Sequence, residues 1–249
     1  MIIRSVLSTL YLLVMTPIIS FVCFLTSLLG DHKGVIWWKA ARLWANGLLK
    51  SGGVTKIIIY GREKLEKTHK AIFMSNHKSQ FDPLALASLS IKSPIRFFAK
   101  HTLAYFPFFG QALWATGMVF INRKDRAKSF KSIEKAIARI KNKDKYFFVF
   151  PEGKRSPIGE LLQFKIGGFI MAMKAKLPIM PIGIAGTGEI LPHGLLIREK
   201  GPIVIAVGDL IPASVYELIS LEELVDRVRK QVLYLQKKAS QIRNDLVHA

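Results

Sequence analysis

A histidine and an aspartate five positions apart, His77 and Asp82, have the types and the spacing of a base and its orienting carboxylate. They lie in the segment SNHKSQFDP, residues 75–83, directly after the apolar run 71–74, which predicts a short buried strand. Asp82 and Pro83 predict a helix start, with aspartate at the N-cap and proline at the first helical position. His77 is therefore expected on a strand-to-helix loop, where it could remove a proton from an alcohol while Asp82 stabilises the imidazolium. Taken alone, the segment also fits a structural reading, in which Asp82 is only a cap and His77 only a polar loop residue.

Two arginines end other apolar runs and could bind a phosphate. Arg123 closes GMVFINR, residues 117–123, and Arg155 follows Gly153 in FPEGKRS, residues 150–156. Ligands gather at strand ends in open α/β sheets, and a guanidinium fork matches phosphate oxygens bidentately. Each arginine alone fits an ordinary surface position, but two at strand ends beside a His/Asp pair favour a phosphate site. A further run, LPIMPIG at 177–183, offers shape without reactive groups.

Short β-rich runs alternate with helical patterns after residue 53. The alternation predicts one α/β domain over 54–249, with a largely parallel, mixed sheet flanked by helices. Strands are predicted at 54–60, 71–75, 95–99, 118–122, 146–150, 179–185 and 203–207. Helices are predicted near 83–90, 108–116, 127–141 and 167–176, with a long one from 221 toward 246.

The composition indicates a protein that binds a polyanion or a membrane surface. The 249 residues include 37 Lys and Arg against 17 Asp and Glu, a formal charge of +20. Such a field attracts nucleic acid, an anionic membrane or phosphorylated substrates. Half of the residues are hydrophobic, which favours the membrane. The single cysteine, Cys23, excludes an internal disulfide framework and fits a reducing compartment.

The N-terminal segment carries no charged side chain from residue 5 to residue 30, long enough to cross a bilayer. A cleaved signal peptide is opposed by its length and by the lack of a small-x-small site. A membrane-spanning helix with a kink at Pro17 is an alternative. We favour a third interpretation, a two-helix membrane anchor over 1–53. In it Pro17 breaks the segment, and the tryptophan-bearing stretch 35–50 lies in the interface. A buried core hairpin is the remaining alternative.

Together these segments resemble the glycerolipid acyltransferase family. NHKSQFD is similar to the family block NHxSxxD, GMVFINR to GxxFIDR, and FPEGKRS to FPEGTRS. LPIMPIGI resembles a fourth block associated with acyl-chain accommodation. The resemblance covers about residues 60–208 with the blocks in order. Asn122 departs from the commoner aspartate and Lys154 from the usual threonine, which leaves the His/Asp pair unaffected.

The resemblance implies an enzyme that moves a fatty acyl group from acyl-CoA or acyl-carrier protein to the sn-2 hydroxyl of 1-acyl-sn-glycerol 3-phosphate, giving phosphatidic acid. It implies His77 as general base and Asp82 as its orienter. The substrate-binding residues that it implies are Arg123, Glu152, Gly153, Arg155, Lys100 and Lys165. Another lysophospholipid or glycerol 3-phosphate is the alternative acceptor. A non-catalytic basic membrane-binding protein fits the charge but not four ordered blocks.

The expected partners are lysophosphatidate in an anionic membrane surface and the acyl donor, with no nucleic acid and no cofactor. We expect no metal, because His69, His101, His193 and His248 lack metal-ligand spacing. The expected location is the cytoplasmic face of a membrane, the inner membrane in a bacterium. Oligomeric state is not predicted.

Overall fold

A computed structural model describes residues 1–31, 33–68, 70–89, 94–122, 124–140, 146–156 and 160–248. Its helices are α1 Ile2–Leu28, α2 Val35–Ser51, α3 Arg62–Glu66, α4 Phe81–Ala87, α5 Phe109–Ala115, α6 Arg126–Ile140, α7 Gly167–Ala175, α8 Thr187–Ile190, α9 Ala213–Tyr216 and α10 Leu221–His248. Its strands are β1 Val54–Tyr60, β2 Ala71–Ser75, β3 Ile95–Lys100, β4 Val119–Ile121, β5 Tyr146–Val149, β6 Ile179–Ala185 and β7 Gly201–Val207. A 3-10 helix occupies His101–Tyr105.

The strands within these described ranges form one seven-stranded sheet in the order β1-β7-β6-β2-β5-β3-β4. Every neighbouring pair is parallel except β6 and β7, which are antiparallel. The predicted fold class, a largely parallel, mixed sheet flanked by helices, is therefore confirmed. The carboxyl ends of β2, β3 and β5 meet at one edge, where open α/β sheets place their ligands.

Both faces of the sheet are buried, as a parallel sheet covered by helices requires. In β2, Ala71 and Phe73 face a core cluster that includes residues of α1, α2 and α4. Ile72 and Met74 face the opposite cluster, which includes residues of α6, α7 and α10. This alternation is the two-residue period of a strand, and it makes β2 the buried centre from which the His77 loop leaves.

The first two helices pack against the α/β domain. The Trp44 indole in α2 donates to Thr16 Oγ1 in α1 at 3.1 Å. The backbone N–H of Ile197 donates to Ser5 Oγ at 2.9 Å, and Cys23 belongs to the sheet's core cluster. Helix α1 continues through Pro17, so the prediction that this proline breaks the segment is wrong. A proline removes one backbone donor, and packing of the turns on either side can hold such a helix together.

Helix α1 leaves an apolar side uncovered. Its exposed large side chains are Ile2, Ile3, Val6, Leu7, Leu10, Leu13, Val14, Ile18, Phe21, Leu25 and Leu28. In the described part of the chain it is the helix whose length and composition would allow it to cross a membrane. The division into an anchor over 1–53 and a domain over 54–249 stays a prediction.

Candidate active site

The loop between β2 and α4 carries the histidine at the carboxyl edge of the sheet. Its position is set first by Asn76, whose side chain is buried. The Asn76 amide donates to the Ile184 carbonyl at 2.9 Å, and its oxygen accepts the Ile184 N–H at 2.8 Å. This pair continues the hydrogen bonding between β2 and β6 beyond the end of β2. Ser79 adds a second anchor, since its hydroxyl donates to the Leu191 carbonyl at 2.6 Å.

His77 and Asp82 form the predicted pair. Their Nδ1 and Oδ2 atoms lie 2.8 Å apart. Because a carboxylate only accepts, we assign the proton of the neutral ring to Nδ1, which leaves the lone pair on Nε2. The His77 side chain is 14% exposed and Asp82 is fully buried, so only the histidine can meet a substrate.

The Asp82 carboxylate is held by four donors. Oδ2 also accepts the backbone N–H groups of Lys78 at 2.7 Å and Ser79 at 2.8 Å. Oδ1 accepts the Thr187 hydroxyl at 2.5 Å. These bonds offset the cost of burying the carboxylate and keep Oδ2 facing the imidazole.

Asp82 is not the N-cap of α4, as the sequence predicts, because the N-cap is Gln80 and Asp82 lies in the first turn. The helix therefore starts two residues earlier than expected. The carboxylate bonds amides that precede the helix and does not cap the helix's own amides. Its partners in the loop and at Thr187 decide its orientation.

Glu152 joins the histidine loop to the segment that follows β5. Its Oε1 accepts the His77 backbone N–H at 2.7 Å, and its Oε2 accepts the Leu162 N–H at 2.9 Å. Burial raises the pKa of this carboxyl, and the two amide bonds act in the opposite direction. No arginine of the described residues forms an ion pair with it. Both oxygens of Glu152 instead brace the backbone on either side of the site.

The imidazole of His77 also rests on the end of β5. Its ring stacks on Phe150, with centroids 4.1 Å apart and planes inclined by 20°. The His77 carbonyl accepts the Ser156 N–H at 2.8 Å. Stacking and backbone bonds together leave one edge of the ring, with Nε2, free to face the cavities beside it.

Gly153 has a conformation that favours glycine, with φ at +70°. A Cβ at this position would lie 2.9 Å from the side-chain carbons Cδ and Cε of Lys165. The glycine thus permits both the turn after Pro151 and the passage of the lysine across it. The side chain of Lys165 is exposed, and its backbone N–H donates to the Pro151 carbonyl at 2.8 Å.

Three cavities meet around these groups. An apolar cavity of about 300 Å³ runs from His77 between α1, α2 and α5 to Cys23 and Trp37. A second cavity, of about 710 Å³, lies along α1 and is lined by His77, Lys100 and Arg155. A third, of about 350 Å³, is lined by Lys124, Gly153 and Lys165 and shares Phe98 and Phe150 with the first.

Arg155 lines the cavity along α1 and has a buried guanidinium nitrogen. Its Nη1 atom is buried and has no hydrogen-bond partner in the ranges that the structure describes. A buried guanidinium donor without a partner is costly, and an incoming anion would satisfy it. Lys100 ends β3 and is exposed at the same cavity as His77 and Arg155.

The structure thus brings His77, Lys100 and Arg155 to the cavity along α1 and places Gly153 and Lys165 at the third cavity. Arg123 lies outside the described residues. Sequence reasoning missed Thr187 and the docking role of Asn76. Thr187 lies two residues after the end of β6, which neighbours β2, so its position near a strand end was the signal that could have identified it.

The fold and the site define an α/β protein with a buried carboxylate, a histidine hydrogen-bonded to it and an apolar cavity beside the pair. A family model described as acyltransferase matches residues 56–185, more than half of the chain. The chain therefore belongs to the acyltransferase family, as its motifs indicate.

This chain is similar to two curated relatives and to one solved structure. The 1-acyl-sn-glycerol-3-phosphate acyltransferase of Salmonella typhimurium is 35% identical over 144 residues, covering 56% of this chain and 58% of its own. The enzyme of that name from Escherichia coli is 34% identical over 142 residues, covering 55% and 58%. This chain therefore spans less than two thirds of the length of these two curated relatives. The crystal structure of the 1-acyl-sn-glycerophosphate acyltransferase PlsC from Thermotoga maritima shares the fold, with a TM-score of 0.77, 24% identity and 96% of both chains covered.

Proposed function

We propose that this chain transfers a fatty acyl group from acyl-CoA or acyl-carrier protein to the sn-2 hydroxyl of 1-acyl-sn-glycerol 3-phosphate, giving phosphatidic acid. The names of the two bacterial relatives support the reaction class. The observation that carries the proposal is the His77–Asp82 pair at the junction of an apolar cavity and a cation-lined one. That junction provides a base at the place where an acyl thioester and a phosphorylated alcohol could meet.

In the proposed reaction, His77 Nε2 takes the proton of the acceptor hydroxyl as its oxygen attacks the thioester carbonyl. Asp82 stabilises the imidazolium that forms. The tetrahedral intermediate then collapses, its carbon–sulfur bond breaks, and the imidazolium returns the proton to the departing thiolate. This sequence needs no cofactor beyond the acyl donor.

Direct transfer without an acyl-enzyme is favoured by the state of Cys23. Its thiol donates to the Trp37 carbonyl at 3.5 Å, and burial raises its pKa to about 11. The cysteine is therefore protonated near neutral pH, and a thiol is a far poorer nucleophile than a thiolate.

The tetrahedral oxyanion needs hydrogen-bond donors. The backbone amides nearest to His77 and the Gly153 amide already have acceptors. The backbone N–H groups of His77, Lys78 and Ser79 donate to carboxylates. The Gly153 N–H donates to the Phe150 carbonyl at 3.0 Å. We therefore assign oxyanion stabilisation to the cationic side of the site, where Lys100 lines both cavities that reach His77.

The acceptor phosphate is assigned to Arg155, whose buried Nη1 lacks a partner among the described residues. Arg123 and Lys165 remain proposed contributors from the family motifs, and Glu152 acts through the backbone around His77. The cavity along α1 suits an acceptor that itself carries an acyl chain, because much of its lining is apolar. Glycerol 3-phosphate has no such chain, which favours a lysophospholipid acceptor. The smaller apolar cavity is left for the acyl group of the donor.

The exposed apolar side of α1 supports attachment to one face of a membrane. The α1 side chains that are exposed are apolar, while other α1 residues pack on α2, α5 and the Ile197 loop. A helix held along its length by the domain would lie in the interface and would not cross the bilayer. We propose that it rests on the cytoplasmic leaflet, where thioester donors occur, with the acceptor entering beside it.

The test is an acyl-transfer assay with purified protein, one labelled acyl-CoA and a panel of acceptors. The panel contains lysophosphatidate, lysophosphatidylcholine and glycerol 3-phosphate. We expect labelled phosphatidic acid from lysophosphatidate and much less product from the other two. Acyl-carrier protein charged with the same acyl group replaces acyl-CoA in a parallel arm. Lysophosphatidylcholine carries a phosphodiester, so its equal use would refute recognition of a phosphate monoester, and preference for glycerol 3-phosphate would refute the acceptor.

A further inference from the structure

A cavity of about 270 Å³ lies at the opposite end of β3 from the active site. Arg96, the second residue of β3, lines it, whereas Lys100 at the other end of the strand lies at the active site. At about 3.3 Å per residue, the two positions are roughly 13 Å apart along the strand. The other lining residues that matter are Trp114, Gly117, Ser132, Lys135 and Phe147.

Arg96 is a buried charge that pairs with no carboxylate of the described residues. It is 8% exposed, and its guanidinium donates to the Pro94 carbonyl at 3.3 Å. The guanidinium carbon lies 5.8 Å from the centroid of the Trp37 ring. Within the part of the chain that the structure describes, no carboxylate pairs with it. A buried cation of this kind is costly unless an anion joins it, and burial accordingly lowers the pKa of Arg96.

The walls of the cavity supply what a phosphate group would need. Lys135 adds a second cation from α6, and Ser132, one turn earlier, adds a hydroxyl. Gly117 has a φ of +80°, and a Cβ there would lie 3.3 Å from Arg96 Nε, so the glycine leaves room for the guanidinium. A fork of arginine donors with an adjacent lysine and hydroxyl matches phosphate oxygens.

The surroundings of this cavity indicate a lipid as the source of the phosphate. Trp114 is 63% exposed at its edge. The turn between α1 and α2 reaches the same place, because a Cβ at Gly34 would contact Pro94, two residues before Arg96. Leu28 and Leu29 beside that turn are exposed. Exposed tryptophan and leucine next to basic side chains are typical of a membrane interface.

We propose that the Arg96 cavity binds the phosphate of an anionic lipid headgroup, at a site separate from the active site. The inference rests on the proposed membrane attachment of α1. Bound there, the headgroup would place a negative charge beside Arg96 and would hold the end of the α1–α2 segment on the leaflet.

The experiment measures binding to the purified full-length chain in detergent by isothermal titration calorimetry. The probes are dihexanoylphosphatidate, dihexanoylphosphatidylcholine and inorganic phosphate, and an Arg155→Ala background reduces binding at the active site. The matched variants are Lys135→Gln, which removes a cavity lysine, and Lys131→Gln, which removes an exposed lysine one turn earlier on α6 outside the cavity. Arg96→Lys keeps the charge but removes the fork.

We expect Lys135→Gln to weaken dihexanoylphosphatidate binding about fivefold, the effect of one basic residue near an anionic lipid surface. Lys131→Gln should change it by less than about twofold, as most exposed substitutions do. Equal loss in both lysine variants, or none in Lys135→Gln, would overturn the site in favour of the general positive field. Inorganic phosphate binding as tightly as the phosphatidate would overturn the lipid source. Turnover of a monomeric short-chain acceptor by Lys135→Gln in the wild-type background tests the proposed function separately, and it should be unchanged.

Discussion

Replacing Asp82 by asparagine removes the charge behind His77 with little change of shape. Three N–H donors converge on Oδ2 and the Thr187 hydroxyl donates to Oδ1. An asparagine can keep its oxygen in the Oδ2 position and retain those three bonds. Its amide nitrogen then faces Thr187, whose hydroxyl oxygen can accept a hydrogen bond. The variant should therefore fold with a melting temperature close to that of the wild type.

Loss of the Asp82 charge should lower the turnover rate. Two unit charges about 4 Å apart interact by about 4 kcal/mol at an effective dielectric constant near 20. In the wild type this attraction develops only as His77 takes the proton, so it lowers the barrier and not the ground state. Losing it should reduce kcat by about a thousandfold, since each 1.36 kcal/mol corresponds to a factor of ten.

The assay follows thiol release from acyl-CoA in the presence of lysophosphatidate, alongside thermal unfolding of each variant. Thr187→Val is the control, because it removes the bond to Oδ1 and leaves the charge. Its turnover should fall far less than that of Asp82→Asn, because the Thr187 bond is present both before and after His77 takes the proton. If Asp82→Asn folds normally and keeps turnover within about tenfold of the wild type, the barrier is not set by charge on the imidazole. That result would refute the role given to Asp82.

Further expectations concern the base, the phosphate, the buried glutamate and the membrane. His77→Ala should lower turnover by about 100- to 10,000-fold without affecting folding; near-normal activity in a folded variant would exclude it as the base. Arg155→Ala should weaken use of lysophosphatidate by about 1.5–3 kcal/mol, whereas Lys154→Ala, at the exposed neighbour, should not; equal effects would move the phosphate elsewhere. Burial raises the pKa of Glu152 above its ordinary value of 4.5, so the folded state keeps this proton to a higher pH than the unfolded chain does. The stability that this carboxyl contributes therefore falls as pH rises from 4.5 through its folded pKa, and Glu152→Gln should flatten that part of a pH-dependent unfolding curve; an unchanged slope would contradict the shift. Membranes carrying the protein should retain it in high salt, since salt screens charge but not apolar contact, and complete release would show that attachment is purely electrostatic.

The sequence by itself determined the sheet strands and the chemical character of the site. Each strand of a covered parallel sheet is an apolar run between turn residues, a signal that lies within a few neighbouring positions. The predicted strand at 179–185 coincides with β6, and the one at 71–75 coincides with β2. The His77–Asp82 pair was equally accessible, because its two members are five residues apart and join the end of one element to the start of the next.

The tertiary structure alone decided what surrounds that pair. Glu152 reaches the His77 amide from 75 positions away, and Thr187 reaches Asp82 from 105. Local patterns do not report such partners, because they become neighbours only when β2, β5 and β6 lie side by side. For the same reason, the sequence assigned Asp82 to a helix cap and Pro17 to a break. Each was judged by its own segment, whereas the bonds of the loop and the packing of α1 against the domain determined the outcome.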